Sequence, residues 1–358
     1  MNDNKMRAVV YLAPEQIELR DVPIPTPGPG EMLVRVRAAT TCGTDLKTYC
    51  RGHPKFPPPF VFGHEFGGDV VALGENVSGF RIGDRVTANV FAECGTCFYC
   101  RHGQGNLCEQ LVYNFGAFAE YNLILASIVR GATFVIPANV SYEEAALVEP
   151  LSTVVHSQNL LNIQPGERVV ILGAGGAIGL MQQQMALLRG AGQVIAVGHS
   201  DARLAVAKEL GATRVINAHH EPVSQIVSEL TNGYGADVVI ECAGQKSTWE
   251  LAVDLVRRGG RVCWFGGLAS GVKVELDAAR LHYGAINLIN THGATVEDAK
   301  AAFELITSGV INLRCLLSET LPLSQLELGL KKMAAGEVIK VVIRPDLSSN
   351  RGQNVKSY

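Results

Sequence analysis

The sequence predicts an α/β protein made of a β-rich part and a doubly wound parallel sheet. Before residue 150, short strand-like runs are broken by Gly and Pro. From Glu167 onward, apolar strands alternate with helical segments, and a Gly-rich turn directly follows the first of these strands. Such alternation is typical of a parallel sheet covered by helices. A chain of 358 residues is also long enough for two domains.

The composition excludes several classes of protein. The chain is 47% hydrophobic and 18% charged with a formal net charge of -3, so it has no basic excess for binding nucleic acid. No uninterrupted apolar run of membrane-spanning length and no apolar signal segment occurs in the sequence. We therefore expect a cytoplasmic globular protein that binds neither nucleic acid nor membrane. Nine cysteines, an odd number, favour metal binding or free thiols over a disulfide framework.

The first half of the chain is predicted to be mostly β-structure. Residues 6–12 and 32–38 read as strands, and a loop rich in Pro and Gly separates them. Further short strands are predicted in residues 66–89, with glycines at their turns.

A set of metal-ligating residue types lies inside this β-rich half. Cys42 begins the run Cys42-Gly43-Thr44-Asp45, and His64 and Glu65 follow within two dozen residues. A thiolate, an imidazole and a carboxylate suit zinc with an open coordination position. Taken alone the set is weak, because such residues also occur together by chance.

Four cysteines form the most specific local motif. Cys94, Cys97, Cys100 and Cys108 fall within fifteen residues of a polar, Gly-rich stretch. Four thiolates at this spacing can close a tetrahedron around one zinc and leave no position for substrate. The alternative is four unpaired thiols in a surface loop, which would be reactive. The motif therefore predicts a structural zinc site.

The composition changes near residue 150. Residues 142–161 have a helical pattern, and Pro150 interrupts it. We expect the helix to break there, which leaves Glu149 at the break, where its side chain can point into a cleft.

In the second half of the sequence, alternating strand and helix patterns predict the doubly wound sheet, and a Gly-rich turn predicts a dinucleotide site. Strands are expected at 168–172, 193–197, 214–216, 237–241, 261–265 and 285–291, and helices at 180–189, 201–210, 223–231 and 248–256. The first strand leads into a turn with glycines at Gly173, Gly175, Gly176 and Gly179. Glycines let the backbone approach a pyrophosphate, and the amides at the helix start supply donors. The spacing departs from G-x-G-x-x-G because Ile178 holds the place of the last glycine.

The end of the second strand bears on the choice of cofactor. An acid there would bind the ribose 2′-hydroxyl of NAD, whereas a 2′-phosphate needs space and positive charge. The sequence has Gly198 at that place, followed by His199, Ser200 and Arg203. Asp201 comes too late and is expected to cap the next helix. The pattern favours NADP over NAD, with NAD still open.

The chain after residue 293 leaves the alternating pattern. Helices are predicted at 296–307 and 324–335 and a strand at 338–343. We expect this segment to return to the β-rich part.

With these residues in place, the chain resembles the zinc-dependent medium-chain dehydrogenase/reductase family along nearly its whole length, and within it the polyol and threonine dehydrogenase branch. The matching motifs are Cys42-Gly-Thr-Asp45, Gly63-His64-Glu65, the four cysteines, Glu149-Pro150-Leu151, the Gly-rich turn and His282-Tyr283. The resemblance implies a GroES-like domain in residues 1–153 and 294–358 and a Rossmann domain in residues 154–293. It also implies one catalytic and one structural zinc per chain.

The resemblance further implies roles for individual residues. Cys42 and His64 would ligate the catalytic zinc, with Glu65 or Glu149 in the remaining carboxylate role, and Asp45 would orient His64. Thr44 would take the hydroxyl proton of the alcohol. Lys47 stands where relatives often carry a relay histidine, which leaves the relay open because Lys ordinarily titrates far above neutral pH. Thr153 would line the nicotinamide.

The implied function is reversible hydride transfer between a secondary alcohol, polyol or sugar-like, and NAD(P). An amino alcohol such as threonine is the alternative within enzymes, and a non-catalytic dinucleotide-binding protein is the alternative of another class. The sequence does not identify the individual alcohol. By analogy with the family we expect a homotetramer, with a dimer as the alternative. The pair His219-His220 reads as an exposed loop without a role.

Overall fold

The computed structural model describes residues 4–53 and 55–347, which divide into two compact units. The first comprises residues 1–150 and 295–358, and the second residues 151–294. Residues 1–3, 54 and 348–358, which belong to the predicted GroES-like domain, lie outside the described residues. No helix in the described part of the chain is long and apolar enough to cross a bilayer.

The elements up to the first long helix are mainly short strands. In order they are β1 (Lys5–Ala13), β2 (Gln16–Pro23), β3 (Met32–Thr40), α1 (Gly43–Arg51), β4 (Phe60–Val61), β5 (Glu65–Leu73), β6 (Arg85–Ala88), β7 (Phe91–Ala92), α2 (Phe98–Arg101), β8 (Val112–Tyr113), β9 (Tyr121–Ile124), α3 (Ala126–Gly131), β10 (Thr133–Val135), α4 (Tyr142–Ala145) and α5 (Val148–Leu161).

The alternating segment and the C-terminal segment follow. The alternating segment contains β11 (Arg168–Leu172), α6 (Ala177–Leu188), β12 (Gln193–Gly198), α7 (Asp201–Glu209), β13 (Arg214–Asn217), α8 (Val223–Leu230), β14 (Ala236–Glu241), α9 (Lys246–Leu255), β15 (Val256–Trp264), α10 (Ala278–Gly284) and β16 (Asn287–Asn290). The C-terminal segment contains α11 (Val296–Ser308), β17 (Leu317–Pro322), α12 (Leu326–Ala335) and β18 (Lys340–Arg344).

The first unit is built around a mixed sheet. Its described strands run in the order β10-β6-β5-β3-β18-β17, and β9 also pairs with β3. β18 pairs antiparallel with β3 through Val342↔Thr40 and Ile343↔Ala39, so the C-terminal segment forms part of this sheet. Buried aliphatic and aromatic side chains such as Phe62, Phe118 and Ile124 form the core around it. The end of β3 and the start of β5 are thereby held beside β18.

The second unit contains the predicted doubly wound sheet. Its described strands run in the order β13-β12-β11-β14-β15-β16, and every neighbouring pair is parallel. Residues 169–172, 194–197 and 238–241 are buried, because helices cover a parallel sheet on both faces. The strand order reverses between β11 and β14. In open sheets of this kind, ligands bind at the carboxyl ends of the strands at such a reversal.

Some local predictions were wrong, and the reasons are physical. The helical run in 142–161 breaks at residues 146–147 rather than at Pro150, which lies in the first turn of α5. Proline is tolerated there because that N–H has no partner within the helix. Helix α1 and strands β2 and β17 were not predicted at all. Asp201 does not cap α7, because Ser200 is the residue at the N-cap position.

The close packing of α6 against the preceding turn gives the first prediction. A Cβ at Gly179 would lie 2.5 Å from the Gly173 carbonyl oxygen, a contact with backbone that cannot rotate away. Gly179→Ala should therefore lower the free energy of unfolding by about 1–3 kcal/mol, measured by urea denaturation. The matched control is Gly131→Ala at the end of α3, where the new Cβ would meet Val296 at an ordinary 3.6 Å. Equal effects of the two changes would contradict the packing argument.

Candidate metal centres and dinucleotide site

Helix α1 positions Cys42 and Asp45. Cys42 is its N-cap residue with an extended backbone, and its Sγ accepts a hydrogen bond from the Thr44 amide at 3.4 Å. The Cys42 amide donates in return to Asp45 Oδ2 at 2.9 Å, which completes a capping box. The positive end of the helix dipole therefore lies at the sulfur and suits a metal-ligating thiolate.

Asp45 also orients His64. Asp45 Oδ1 lies 3.0 Å from His64 Nδ1, and both side chains are at least 95% buried. Burial disfavours the imidazolium, but the Asp45 carboxylate outweighs it and raises the pKa of His64 well above its ordinary value. A carboxylate on Nδ1 leaves Nε2 as the nitrogen for a metal, the usual arrangement for a ligating histidine.

The carboxylate of Glu65 is neutralised by a residue far along the chain. Glu65 is fully buried, and Lys340 Nζ lies 2.8 Å from its Oε1 and 2.6 Å from its Oε2. The Thr40 hydroxyl also donates to Oε2, and Lys340 donates to the Thr41 carbonyl at 2.6 Å. Burial alone would lower the pKa of Lys340, but Glu65 reverses this effect and raises it. The result is a buried ion pair between β5 and β18.

Glu149 is a second buried carboxyl in this region. It lies in the first turn of α5 and is 8% exposed. Burial raises the pKa of Glu149 to about 7, and the negative charges of Glu65 and Asp45 add to the effect, against the opposing charges of His64 and Lys340. A bound divalent cation would relieve this cost, because it favours the ionised carboxylate.

These side chains fit a zinc ion. One ligand atom from each of Cys42, His64 and Glu65 lies within 4.8 Å of the others. Thiolate, imidazole and carboxylate are the ligands of catalytic zinc sites, which keep one position open. The structure thus distinguishes the two acids: Glu65 lies among the possible ligands but is bound by Lys340, whereas Glu149 lies outside that group with a raised pKa.

The four-cysteine motif forms a separate metal-binding group. The sulfur of Cys97 lies 3.4 Å from that of Cys100 and 3.9 Å from that of Cys108, and Cys94 and Cys100 are 3.9 Å apart. Four sulfurs around one zinc at 2.3 Å would be separated by about 3.8 Å, so the group fits a tetrahedral site.

Hydrogen bonds to the sulfur of Cys94 favour its thiolate form. The Thr96 hydroxyl and the amides of Thr96 and Cys97 donate to Cys94 and lower its pKa to about 6. Burial acts in the opposite direction on Cys100 and raises its pKa to about 12. Deprotonating all four thiols therefore requires the charge of a metal ion.

Aromatic rings lie beside the first group. Phe115 meets the His64 ring at 6.0 Å in an edge-on arrangement, and Phe56 packs on Phe115 at 4.4 Å. His53 stacks on Phe56 at 4.3 Å. The surroundings of His64 on this side are therefore apolar rather than charged.

The Gly-rich turn of the second unit has the features of a pyrophosphate site. Gly173 has φ +79°, which other residues rarely adopt, and Gly176 is the N-cap of α6 without a side-chain cap. A Cβ at Gly175 would lie 2.9 Å from Arg203 Cβ. The turn thus combines close backbone approach with helix-start amides, which suit a phosphate group.

The other predicted cofactor residues lie at or near the ends of elements. Gly198 ends β12, His199 follows it and is exposed, and Ser200 is the N-cap of α7. Arg203 is half-buried in α7, where burial lowers its pKa. Thr153 lies half-buried in α5.

The two residues predicted to transfer the proton, Thr44 and Lys47, are both exposed on α1 of the first unit.

One residue of this region was missed in the sequence. The lysine that begins the apolar strand Lys340–Arg344 was a signal for a buried ion pair, but nothing in the sequence indicated its partner. His219 lies in an exposed turn, as predicted, and its ring is 4.4 Å from that of His199.

Two protein-family models match parts of this chain. Residues 28–138 match the model of the alcohol dehydrogenase GroES-like domain, and residues 177–308 match that of the zinc-binding dehydrogenase domain. The sorbitol dehydrogenase of Halalkalibacterium halodurans is 33% identical, over 91% of this chain and 95% of its own. The L-threonine 3-dehydrogenase of Chelativorans is 32% identical, over 95% and 99% respectively.

A solved structure extends the similarity to the whole fold. The crystal structure of a provisionally assigned zinc-binding dehydrogenase from Sinorhizobium meliloti, bound to NADP, superposes with a TM-score of 0.87. It is 33% identical and covers 96% of this chain and 100% of its own.

The buried ion pair gives the second prediction. Lys340→Met should lower the free energy of unfolding by about 3–5 kcal/mol in urea, because it leaves Glu65 charged and buried without its counter-ion. Combining it with Glu65→Gln should recover most of the loss. The control is Lys331→Met, which breaks an exposed pair with Glu327 and should cost about 0–1 kcal/mol. A Lys340→Met effect as small as the control would contradict the assignment.

The raised pKa of Glu149 gives the third prediction. In metal-free protein the folded state holds a proton on Glu149 up to about pH 7, whereas the unfolded state loses it near the ordinary value of 4.5. This stability is fully present below about pH 4.5 and is lost as the pH rises through about 7, by about 3 kcal/mol at most. Glu149→Gln should remove this part of the pH dependence in urea unfolding of the metal-free protein. A variant with an unchanged pH profile would show that Glu149 ionises normally.

Proposed function

The chain belongs to the zinc-dependent medium-chain dehydrogenase/reductase family, in its polyol and threonine dehydrogenase branch. On this basis we propose which residues hold the metal ions, transfer the proton and bind the cofactor. The protein is an oxidoreductase that reversibly transfers a hydride between a secondary alcohol, polyol or sugar-like, and NAD(P). The observation that carries the residue assignments is the buried group of Cys42, His64 and Glu65, with Asp45 on the second nitrogen of His64.

In this proposal Cys42 and His64 hold the catalytic zinc, and Glu65 or Glu149 supplies the carboxylate. When bound, zinc supplies a Lewis acid that lowers the pKa of an alcohol hydroxyl. Asp45 keeps His64 in the tautomer that presents Nε2. Because Lys340 neutralises Glu65, we assign Glu149 as the carboxylate that gains most from a nearby cation. Cys94, Cys97, Cys100 and Cys108 hold a second, structural zinc.

The proton of the alcohol leaves through exposed residues of α1. Thr44 follows Cys42 by two residues, and its hydroxyl is assigned to accept the substrate proton while it releases its own to the next group of the relay. Lys47, one turn further along the same exposed surface, would pass it to water. A lysine can do so at neutral pH only where nearby positive charge or burial lowers its pKa. A zinc ion beside α1 would supply such a charge.

The cofactor is assigned to the second unit, with NADP preferred over NAD. Gly173, Gly175, Gly176 and Gly179 form the pyrophosphate turn, and Thr153 is assigned to the nicotinamide. The NADP preference is supported by Gly198, which leaves no acid at the end of β12, and by His199, Ser200 and Arg203 next to it. The NADP-bound relative from Sinorhizobium meliloti supports it as well.

A polyol or sugar-like alcohol is preferred to threonine as substrate. The aromatic rings of Phe115 and Phe56 beside His64 suit the C–H surface of such a molecule. Threonine would bring a carboxylate, which requires a cation. Lys47, Arg51 and His53 are the basic residues of this part of the chain that could supply one. Of these, His53 stacks on Phe56, and its Nδ1 accepts from the Lys55 amide at 3.2 Å.

The remaining assignments follow the family. The GroES-like domain is assigned to residues 1–153 and 294–358 and the Rossmann domain to 154–293. We propose a homotetramer, or failing that a dimer, located in the cytoplasm.

The fourth prediction separates the two metal centres. Purified wild-type protein should contain two zinc ions per chain and oxidise a polyol with NADP. Cys42→Ser should retain one zinc and lose activity by more than about 100-fold, with its melting temperature nearly unchanged, because a site open to substrate contributes little to folding. The matched change Cys97→Ser should also retain one zinc but lower the melting temperature markedly.

Metal content, activity and melting temperature are all read on the same samples. A wild type with a single zinc that survives Cys42→Ser would contradict the catalytic assignment. Full zinc and no turnover of any polyol, sugar acid, sugar or threonine would contradict the substrate class.

A further inference from the structure

A fully buried carboxyl group lies at the carboxyl end of β14, outside both candidate metal centres. Glu241 is the last residue of this strand and has no exposed surface. Its Oε1 accepts hydrogen bonds from the amides of Ala243 and Gly244 at 2.7 and 2.8 Å and from the Thr248 hydroxyl at 2.7 Å. One side chain thus holds the loop that follows its own strand and ties it to the first turn of α9.

The main chain of the same residue holds the loop after the next strand. The amides of Phe265 and Gly266, which follow β15, both donate to the Glu241 carbonyl at 3.0 Å. From the other side, the Trp249 indole in α9 donates to the Gly266 carbonyl at 2.8 Å. Both backbone hydrogen-bonding groups of Gly266 are therefore bound within one cluster, which fixes the path of the loop after β15.

The two loops and the Gly-rich turn pack closely against one another. A Cβ at Gly266 would overlap the Gly244 amide nitrogen and lie 2.8 Å from Glu241 Oε2. A Cβ at Gly173, in the turn after β11, would lie 2.8 Å from the Ala243 nitrogen. Groups packed this closely transmit displacements, because no free volume absorbs them. The position of both loops relative to the turn therefore depends on the contacts that Glu241 makes.

These loops lie on the side of the sheet where the nicotinamide half of the cofactor is expected. A dinucleotide crosses the carboxyl ends of the strands where the strand order reverses, which here is between β11 and β14. The turn after β11 is assigned to the pyrophosphate, and the residues after β12 to the adenosine end. The nicotinamide end then falls on the side of β14 and β15. Precise placement there matters, because hydride transfer requires a fixed geometry of the reacting atoms.

We propose that Glu241 is a positioning residue for hydride transfer, which holds the loops after β14 and β15 in the form that receives the nicotinamide. The inference rests on the proposed dehydrogenase function with NAD(P) and adds a residue that acts through the backbone of its neighbours. Without the carboxylate, the amides of Ala243 and Gly244 lose a charged acceptor and the loops become less ordered. Ordering them again when the cofactor binds costs affinity.

The test compares Glu241→Gln with Asp237→Asn, a change near the opposite end of the same strand. Asp237 also joins neighbouring elements, because its carboxylate accepts from the Arg168 amide at 2.7 Å and pairs with Arg257. Both variants should lower the melting temperature of the purified full-length protein. In calorimetric titrations, Glu241→Gln should bind NADPH about ten-fold more weakly than wild type, as expected for loss of charged hydrogen bonds. Asp237→Asn should bind it within about two-fold of wild type.

Two further measurements separate positioning from a general loss of structure. The fragment 2′,5′-ADP, which lacks the nicotinamide, should bind Glu241→Gln within about two-fold of wild type. With the alcohol that the wild type oxidises, kcat of Glu241→Gln should fall by roughly ten-fold or more while KM for the alcohol changes little, because the nicotinamide is misplaced rather than the alcohol.

A milder pair of variants tests the same cluster without removing the carboxylate. Thr248→Val deletes the hydroxyl that donates to Glu241, and Thr248→Ser retains it. Thr248→Val should weaken NADPH by about three-fold and lower kcat, as expected for loss of one hydrogen bond, whereas Thr248→Ser should match wild type. This pair decides the question by itself if Glu241→Gln does not fold.

Three results would overturn the inference while leaving the dehydrogenase assignment intact. These are unchanged NADPH binding and kcat in Glu241→Gln, equal effects of Glu241→Gln and Asp237→Asn on NADPH binding, and a loss of 2′,5′-ADP affinity as large as that of NADPH. For the milder pair, equal behaviour of Thr248→Val and Thr248→Ser has the same meaning. Absence of dinucleotide binding by the wild type would overturn both the inference and the proposed function.

Discussion

The first unit depends on a charge that could not be buried without its partner. Glu65 has no exposed surface, and an unpaired carboxylate in such a place would take up a proton or unfold the region. Lys340 prevents this from 275 residues away in sequence, with Thr40 as a further donor. The ion pair holds β18 beside β3 and β5, the strands whose ends carry Cys42 and His64. Sheet pairing and metal-site geometry therefore rely on the same contact.

The two candidate metal centres differ in how their negative charges are balanced. At the four cysteines, nearby amide and hydroxyl groups donate hydrogen bonds to the sulfurs. The negative charge of the thiolates that these donors do not balance would be balanced by a bound cation. At Cys42 and His64, the charges are arranged over longer distances: Asp45 fixes His64, Lys340 balances Glu65, and Glu149 remains easily protonated. The first arrangement suits a closed site, and the second suits one whose ligands must accommodate a changing substrate.

The sequence predicted what local patterns determine. The strands of the parallel sheet were found because short runs rich in apolar residues, such as Arg168–Leu172, alternate with helical patterns, and Cys94 and its partners because their spacing is short. Helix α1 was missed because its starting signal, a capping box, begins with Cys42 instead of the usual Ser or Thr. Lys340 was missed because its partner is set by strand pairing, which residue periodicity does not reveal. The break near Pro150 was misplaced because a proline also fits the first turn of a helix.

The position of Lys340 has a consequence for how the protein matures. During synthesis, Cys42, His64 and Glu65 leave the ribosome long before the lysine that balances Glu65. Until β18 emerges, this carboxylate lacks its counter-ion, and the strands around it have no complete sheet to join. Assembly of the group of Cys42, His64 and Glu65 therefore has to wait for a strand made 275 residues later. Cys94, Cys97, Cys100 and Cys108 lie within fifteen residues, so these four side chains can come together much earlier in synthesis.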